Sequence, residues 1–165
     1  MPTHFEGDER TRLALDTFIK FTRAAGAFES RLLHRGQLGD LTLSQFGVLE
    51  TLHHLGPLCP GQISAKLLKS SGNITLVLDN LEKQGLVQRI RDTEDRRKIT
   101  LTLTPAGEAL ITEIFPRQAA VIADEMSALT PAEQEILGRL CKKLGLKASE
   151  SPDSIVHPSN PLSVS

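Results

Sequence analysis

Apolar side chains first repeat at helical spacing over 9–35, where Ala14, Phe18, Phe21, Ala25, Phe28 and Leu32 follow one another at intervals of 4, 3, 4, 3 and 4. Alternating threes and fours make a continuous seam along one face of a helix, as in a coiled coil. Three of the six phenylalanines lie on this seam. That is more apolar bulk than one small domain needs on a terminal helix, and packing between subunits would use it as well as packing within one.

Gly36 and Gly39 break that helix. Thr42-Leu43-Ser44-Gln45 then has the form of a capping box, and the helix it starts buries Phe46, Leu49 and Leu52 before Gly56-Pro57 stop it. A short third helix is expected from Pro60 to Leu68, with Ile63, Leu67 and Leu68 as its apolar face. Small polar residues at Ser70-Ser71-Gly72-Asn73 open a fourth, which either serine can cap. Ile74, Leu78 and Leu81 form its inner face, and Gly85 ends it.

The pattern then changes period. LVQRIR (86–91) and KITLTLT (98–104) read as two strands of a hairpin joined by a six-residue charged connection, and with Lys98 six of the seven residues of DTEDRRK (92–98) are charged. Thr104-Pro105 starts a long fifth helix that Pro116 should kink. Thr130-Pro131-Ala132-Glu133 caps a last helix, expected to turn Ile136, Leu137, Leu140 and Leu144 inward and to stop at Gly145. The Ser- and Pro-rich segment 148–165 has the composition of a disordered tail.

Composition narrows the function without fixing it. A hydrophobic content of 39% in 165 residues suits one domain, or one domain with an added dimerisation element. No long apolar run and no apolar N-terminus occur, so neither a membrane span nor a secretory signal is expected, and the cytoplasm is the expected location. Two distant cysteines and five histidines without HExxH or i, i+4 spacing predict no disulfide framework, no metal site and no cofactor. No nucleophile with a nearby base and no phosphate loop appears, which argues against an enzyme. The net charge of −1 conceals an uneven distribution: residues 66–98 carry eight basic and five acidic side chains, +3, leaving −4 for the rest.

Three helices, the last with a polar start, followed by a two-stranded hairpin, are the order of a winged helix-turn-helix. The run GPLCPGQISAKLLKSSGNITLVLDNLEKQGLVQRIRDTEDRRKITLTLTPAGEAL resembles the MarR family of bacterial winged-helix regulators. The likeness is closest in D-x-R-x-x-x-x-x-L-T, at Asp95, Arg97, Leu103 and Thr104, and it extends over about residues 10–146. What it implies is a mainly α fold with a small β-wing, in which a winged helix-turn-helix lobe carries N- and C-terminal dimerisation helices. The corresponding segments are a dimerisation helix at 1–36, a DNA-binding lobe at 41–104, two further dimerisation helices at 105–147 and the tail at 148–165.

The resemblance further implies a homodimer on a pseudo-palindromic site in double-stranded DNA, nucleoid-associated in the cytoplasm. It would act as a repressor more often than an activator, relieved by a small phenolic or aromatic acid or by an oxidant. The fourth helix would enter the major groove with Ser70, Ser71, Asn73, Thr75 and Leu76. Leu76 and Asn80 stand where the family often has arginine, so readout shifts toward the wing, and Leu76 reads equally as ordinary surface. At the wing tip Arg97 is the residue expected in the minor groove, with Asp95 orienting its guanidinium. The alternative is an exposed surface pair. Arg89, Arg91, Arg96 and Lys98 are expected at phosphates.

Two further expectations concern control. In the family that this chain resembles, the effector pocket lies between the dimerisation helices and the DNA-binding lobe; by element position Phe28, Arg31, Leu43, Phe46 and Phe115 are candidate liners, though a residue so placed is more often simple core or surface. Cys59, placed to cap the third helix, is either a redox-sensitive thiol or a small half-buried residue, whereas Cys141 reads as packing. A winged-helix module that binds protein instead of DNA is the competing class; the charge of residues 66–98 and the intact D-x-R argue against it.

Overall fold

A computed structural model of the chain describes residues 5–36, 38–68, 71–91 and 98–149. The elements in order are α1 (Glu9–Arg35), α2 (Leu43–Leu55), α3 (Pro60–Leu67), α4 (Ser71–Lys83), β1 (Val87–Arg91), β2 (Ile99–Leu103), α5 (Pro105–Met126) and α6 (Pro131–Ser149). They fall into two compact units that divide between Ala128 and Leu129. The mainly α fold class with a small β-wing is therefore observed.

The first unit is organised around the side chains that the helical and strand periods select. Val48 and Leu49 of α2, Ile63 of α3, Ile74, Leu78 and Leu81 of α4, Val87 of β1, Leu101 of β2 and Ile111 of α5 are all essentially removed from water in one cluster. Burial of this kind is the main favourable term in folding. The two strands pair antiparallel with Val87 opposite Leu103 and Arg91 opposite Ile99. Leu58, in the loop between α2 and α3, adds a third edge: its N–H donates to the Leu101 carbonyl at 3.1 Å and its carbonyl accepts from the Leu101 N–H at 2.8 Å. Nothing in the hydrophobic pattern points to this pairing.

Helix α5 is locked onto the root of the wing. Thr104 caps it by accepting from the Gly107 N–H at 3.1 Å, while its hydroxyl donates to the Gly85 carbonyl at 2.6 Å. Gly85, at φ 70°, is the turn that ends α4. Gly107 lies so close to Leu86 that a Cβ there would fall 2.0 Å from the Leu86 carbonyl oxygen. The expected capping box of α2 is present, with Gln45 N–H to Thr42 Oγ1 at 3.2 Å and Thr42 N–H to Gln45 Oε1 at 2.8 Å.

Helix α1 meets α5 through charge. Arg31 Nε donates to Glu125 Oε2 at 2.5 Å, Arg35 Nη1 to Glu125 Oε1 at 2.5 Å and Arg35 Nη2 to Asp124 Oδ2 at 2.6 Å. Hydrogen bonds from Arg31 first and Arg35 second hold the Glu125 carboxyl below the usual carboxylate range, while Glu125 and then Asp124 raise Arg35.

Several expectations are corrected. Leu68 is exposed and does not continue the apolar face of α3, because it caps that helix at φ 50° and its side chain leaves the helical row. Helix α6 runs through Gly145 to Ser149; among the described residues only Gly39, Gly56 and Gly85 are glycines with positive φ, so Gly145 lacks the left-handed conformation that ends helices. Ile136, Leu137, Leu140 and Leu144 are exposed in the single chain, and so is Cys141. Pro116 lies inside α5 at an exposed position, as the sequence places it. Ser70, the wing tip and the tail from 150 onward lie outside the described residues.

Two measurements check this description. Gly107→Ala should lose about 1–3 kcal/mol of stability, because backbone on both sides prevents relief of the overlap; urea unfolding should show a lower midpoint at unchanged m-value. The clamp at Glu125 has a definite pH dependence. A folded-state value below the unfolded one gives stabilisation that is complete above the unfolded carboxylate range and lost as pH falls through the lowered value. The urea midpoint of the wild type should therefore fall more steeply on acidification than that of Glu125→Gln, and parallel profiles would show that the clamp contributes nothing.

Candidate nucleic-acid interface

Helices α3 and α4 form the helix-turn-helix pair, and burial of Ile74, Leu78 and Leu81 decides which side of α4 faces out. Asn73, Thr75 and Leu76 are exposed on it, Leu76 with 64% of its surface accessible. These are the groups expected to meet base edges, and the structure does bring them to one surface. The side chain of Ser71 and all of Ser70 lie outside the described residues.

The wing residues singled out from the sequence lie in different settings. Arg91 and Lys98 are exposed and flank the tip, Arg91 ending β1 opposite Ile99. Asp95, Arg96 and Arg97 fall outside the described residues, so the proposed Asp95–Arg97 partnership does too.

Arg89 is placed differently from the expectation of a phosphate contact. It is half-buried and bridges from β1 back to α4, with Nη2 donating to Asp79 Oδ1 at 2.5 Å and Nη1 donating to Glu82. Asp79 and Glu82 stand one helical turn apart on α4, so one planar guanidinium reaches both. The hydrogen bond to Asp79, then the fields of Glu82 and Asp79, push the Arg89 pKa further up against partial desolvation. The side chain is thereby a brace between the outward helix and the wing. The i, i+3 carboxylates on α4 facing an arginine two positions into the strand were the available signal.

The candidate effector residues are only partly brought together. Phe46 and Phe115 stack with ring centroids 6.4 Å apart, and Leu43 packs against the same core. Arg31 is committed to Glu125, and Phe28 is half-buried on α1. Reasoning from the sequence missed the two histidines that join this region: His54 meets the Phe115 ring edge-on at 4.8 Å, and His53 Nδ1 lies 2.8 Å from Glu108 Oε1. Adjacent histidines in the last turn of an amphipathic helix were visible in the sequence but matched no metal spacing. Cys59 is exposed at the start of α3, and its N–H donates to Gln62 Oε1 at 2.9 Å.

The MarR family pattern matches residues 41–99, the segment that contains the helix-turn-helix pair and the first strand of the wing. The HTH-type transcriptional regulator MhqR of Bacillus subtilis is 34% identical over 140 residues, 85% of this chain and 97% of that protein. Bordetella bronchiseptica BpsR, whose DNA binding is regulated by 6-hydroxynicotinic acid, has a solved structure similar at TM-score 0.69 and 26% identity, over 78% of this chain and 97% of BpsR. AbfR in its reduced form bound to DNA matches at 0.69 and 26% identity, over 87% and 98%. Identity of this extent, across the lobe and both flanking helical segments, establishes that the chain belongs to the MarR family of DNA-binding transcriptional regulators.

Proposed function

We propose that this regulator is a homodimer that represses transcription from a pseudo-palindromic operator and releases it when a small aromatic ligand binds. The observation that carries the DNA reading is the outward face of α4, where small and polar side chains backed by a buried apolar row are braced directly to the wing through Arg89. Recognition helix and wing therefore move as one body. The dimer reading is supported by the apolar residues left exposed on α1, Phe18 and Phe21, and separately by those left exposed on α6.

Repression is the direction that the family resemblance implies, and regulation of BpsR by an aromatic acid supports a ligand of that class here. Such a ligand acts by binding one spacing of the two lobes better than the other, which shifts the population between them. Arg97 in the minor groove, oriented by Asp95, with Arg91, Arg96 and Lys98 at phosphates, completes the proposed contact set.

With DNA fragments selected from its own genome, Arg97→Ala should bind at least tenfold more weakly while remaining a folded dimer by sedimentation. Unchanged affinity at matched salt would reject the wing assignment. The two arginines of β1 should separate by salt dependence. Arg91→Gln should flatten the plot of log affinity against log salt by about one unit for each phosphate no longer neutralised, so by about two for a dimer. Arg89→Gln should weaken binding with the slope nearly unchanged, and a flattened slope would return Arg89 to the phosphates.

A further inference from the structure

Helix α4 turns its large apolar residues inward with one exception. Ile74, Leu78 and Leu81 are all but removed from water and Val77 is partly buried, whereas Leu76 remains among the most exposed leucines of the chain. Its neighbours decide what such a side chain meets. In the first two turns of α4 the exposed residues are Gly72, Asn73, Thr75 and Leu76, and none of them carries a charge. Three and six residues beyond Leu76 stand Asp79 and Glu82, whose carboxylates would repel DNA phosphates if left alone. Both are bound by Arg89. The only basic residue in α4 is Lys83, at its far end, two turns after Leu76.

The edges of the bases in the major groove differ in what they ask of such a face. Guanine shows two acceptors, N7 and O6, which arginine or lysine reads; adenine shows an acceptor beside a donor, which an asparagine amide matches; thymine adds a methyl group that an apolar side chain can touch. Asn73 and Leu76, three residues apart, are neighbours on the helix surface. An amide beside a leucine suits an A·T pair, and the start of α4 presents no cation for guanine.

We propose that Leu76 determines operator specificity by seating the C5 methyl group of a thymine in each half-site, with Asn73 beside it pairing to adenine. The major-groove core that α4 reads is then built of A·T pairs. The inference rests on the reading that this protein binds a pseudo-palindromic operator, and it names the base pair that α4 selects. Arg89 contributes indirectly, since it holds the two carboxylates of α4 and lets an uncharged face approach the groove.

Replacing thymine by uracil removes the methyl group and leaves every hydrogen-bonding group and charge of the pair in place, so it isolates this contact. Duplexes selected by the full-length protein from a random-sequence library supply the probe, and each thymine of the selected half-site is replaced in turn by deoxyuridine at fixed salt. One thymine per half-site should respond: loss of its methyl should weaken binding about fourfold, and about fifteenfold when both half-sites are changed, as for one buried methyl group each. Leu76→Ala should bind the thymine duplex more weakly and should no longer distinguish thymine from uracil at that position. Because Leu76 is exposed, the thermal midpoint of the variant should match that of the wild type. A selected palindrome in which no thymine responds to loss of its methyl overturns the assignment and leaves the operator reading in place. So does a uracil penalty that persists in Leu76→Ala, which would put the methyl against another group, and so does a midpoint lowered by several degrees, which would make Leu76 a packing residue. Failure of any sequence to be enriched overturns the operator reading and this inference together.

Discussion

The close approach of α5 to the wing root is the constraint on which the first unit depends. Three chain segments converge there: the glycine turn that ends α4, the first residue after it, and the first turn of α5. One threonine serves two of them, capping α5 and holding the Gly85 carbonyl, and the Thr104 N–H also donates to the Leu86 carbonyl at 3.1 Å. Because Gly107 admits no side chain against Leu86, the angle at which α5 leaves the wing is set by backbone contact. The first turn of α5 is thereby tied by direct contact to the end of α4 and to the root of the wing.

Charge is used in the same way, to fix internal geometry. Arg89 joins β1 to α4, and Arg31 with Arg35 joins α1 to α5; in both places arginine meets carboxylates through more than one nitrogen. Ion pairs with a solvent-exposed partner add little stability individually. Their value here is angular, since a guanidinium held at two points fixes the relation between two elements more tightly than apolar contact does.

What the sequence made legible followed from period and punctuation. The alternation of ITLTL, the Ile74/Leu78/Leu81 spacing and the Thr-x-x-Gln cap each specify a local structure whose cause lies within a few residues. Contacts between distant segments were illegible: Leu58 pairing with Leu101, Gly107 against Leu86, and the Glu125 clamp spanning 94 residues from Arg31. Arg89 shows the limit most clearly. Its charge suggests a phosphate contact, and the sequence alone does not place Asp79 and Glu82 within reach of it. The exposed apolar rows are the reverse case. Phe18, Phe21 and the α6 leucines carry the pattern of a core, and burial within one chain does not account for them.

That leftover apolar surface bears on how such a regulator responds. With Arg89 internally engaged, the exposed cations flanking the wing tip among the described residues are Arg91 and Lys98, to which the proposed contact set of a lobe adds Arg96 and Arg97. Tight binding in the proposed dimer must come from two lobes engaging together, where the second contact is made at the high effective concentration set by the first. This gain vanishes when the spacing of the lobes no longer matches the DNA. In the proposed dimer, affinity then depends on the spacing of the two lobes, and the close contact at Gly107 together with the Arg89 brace fixes the geometry within each lobe.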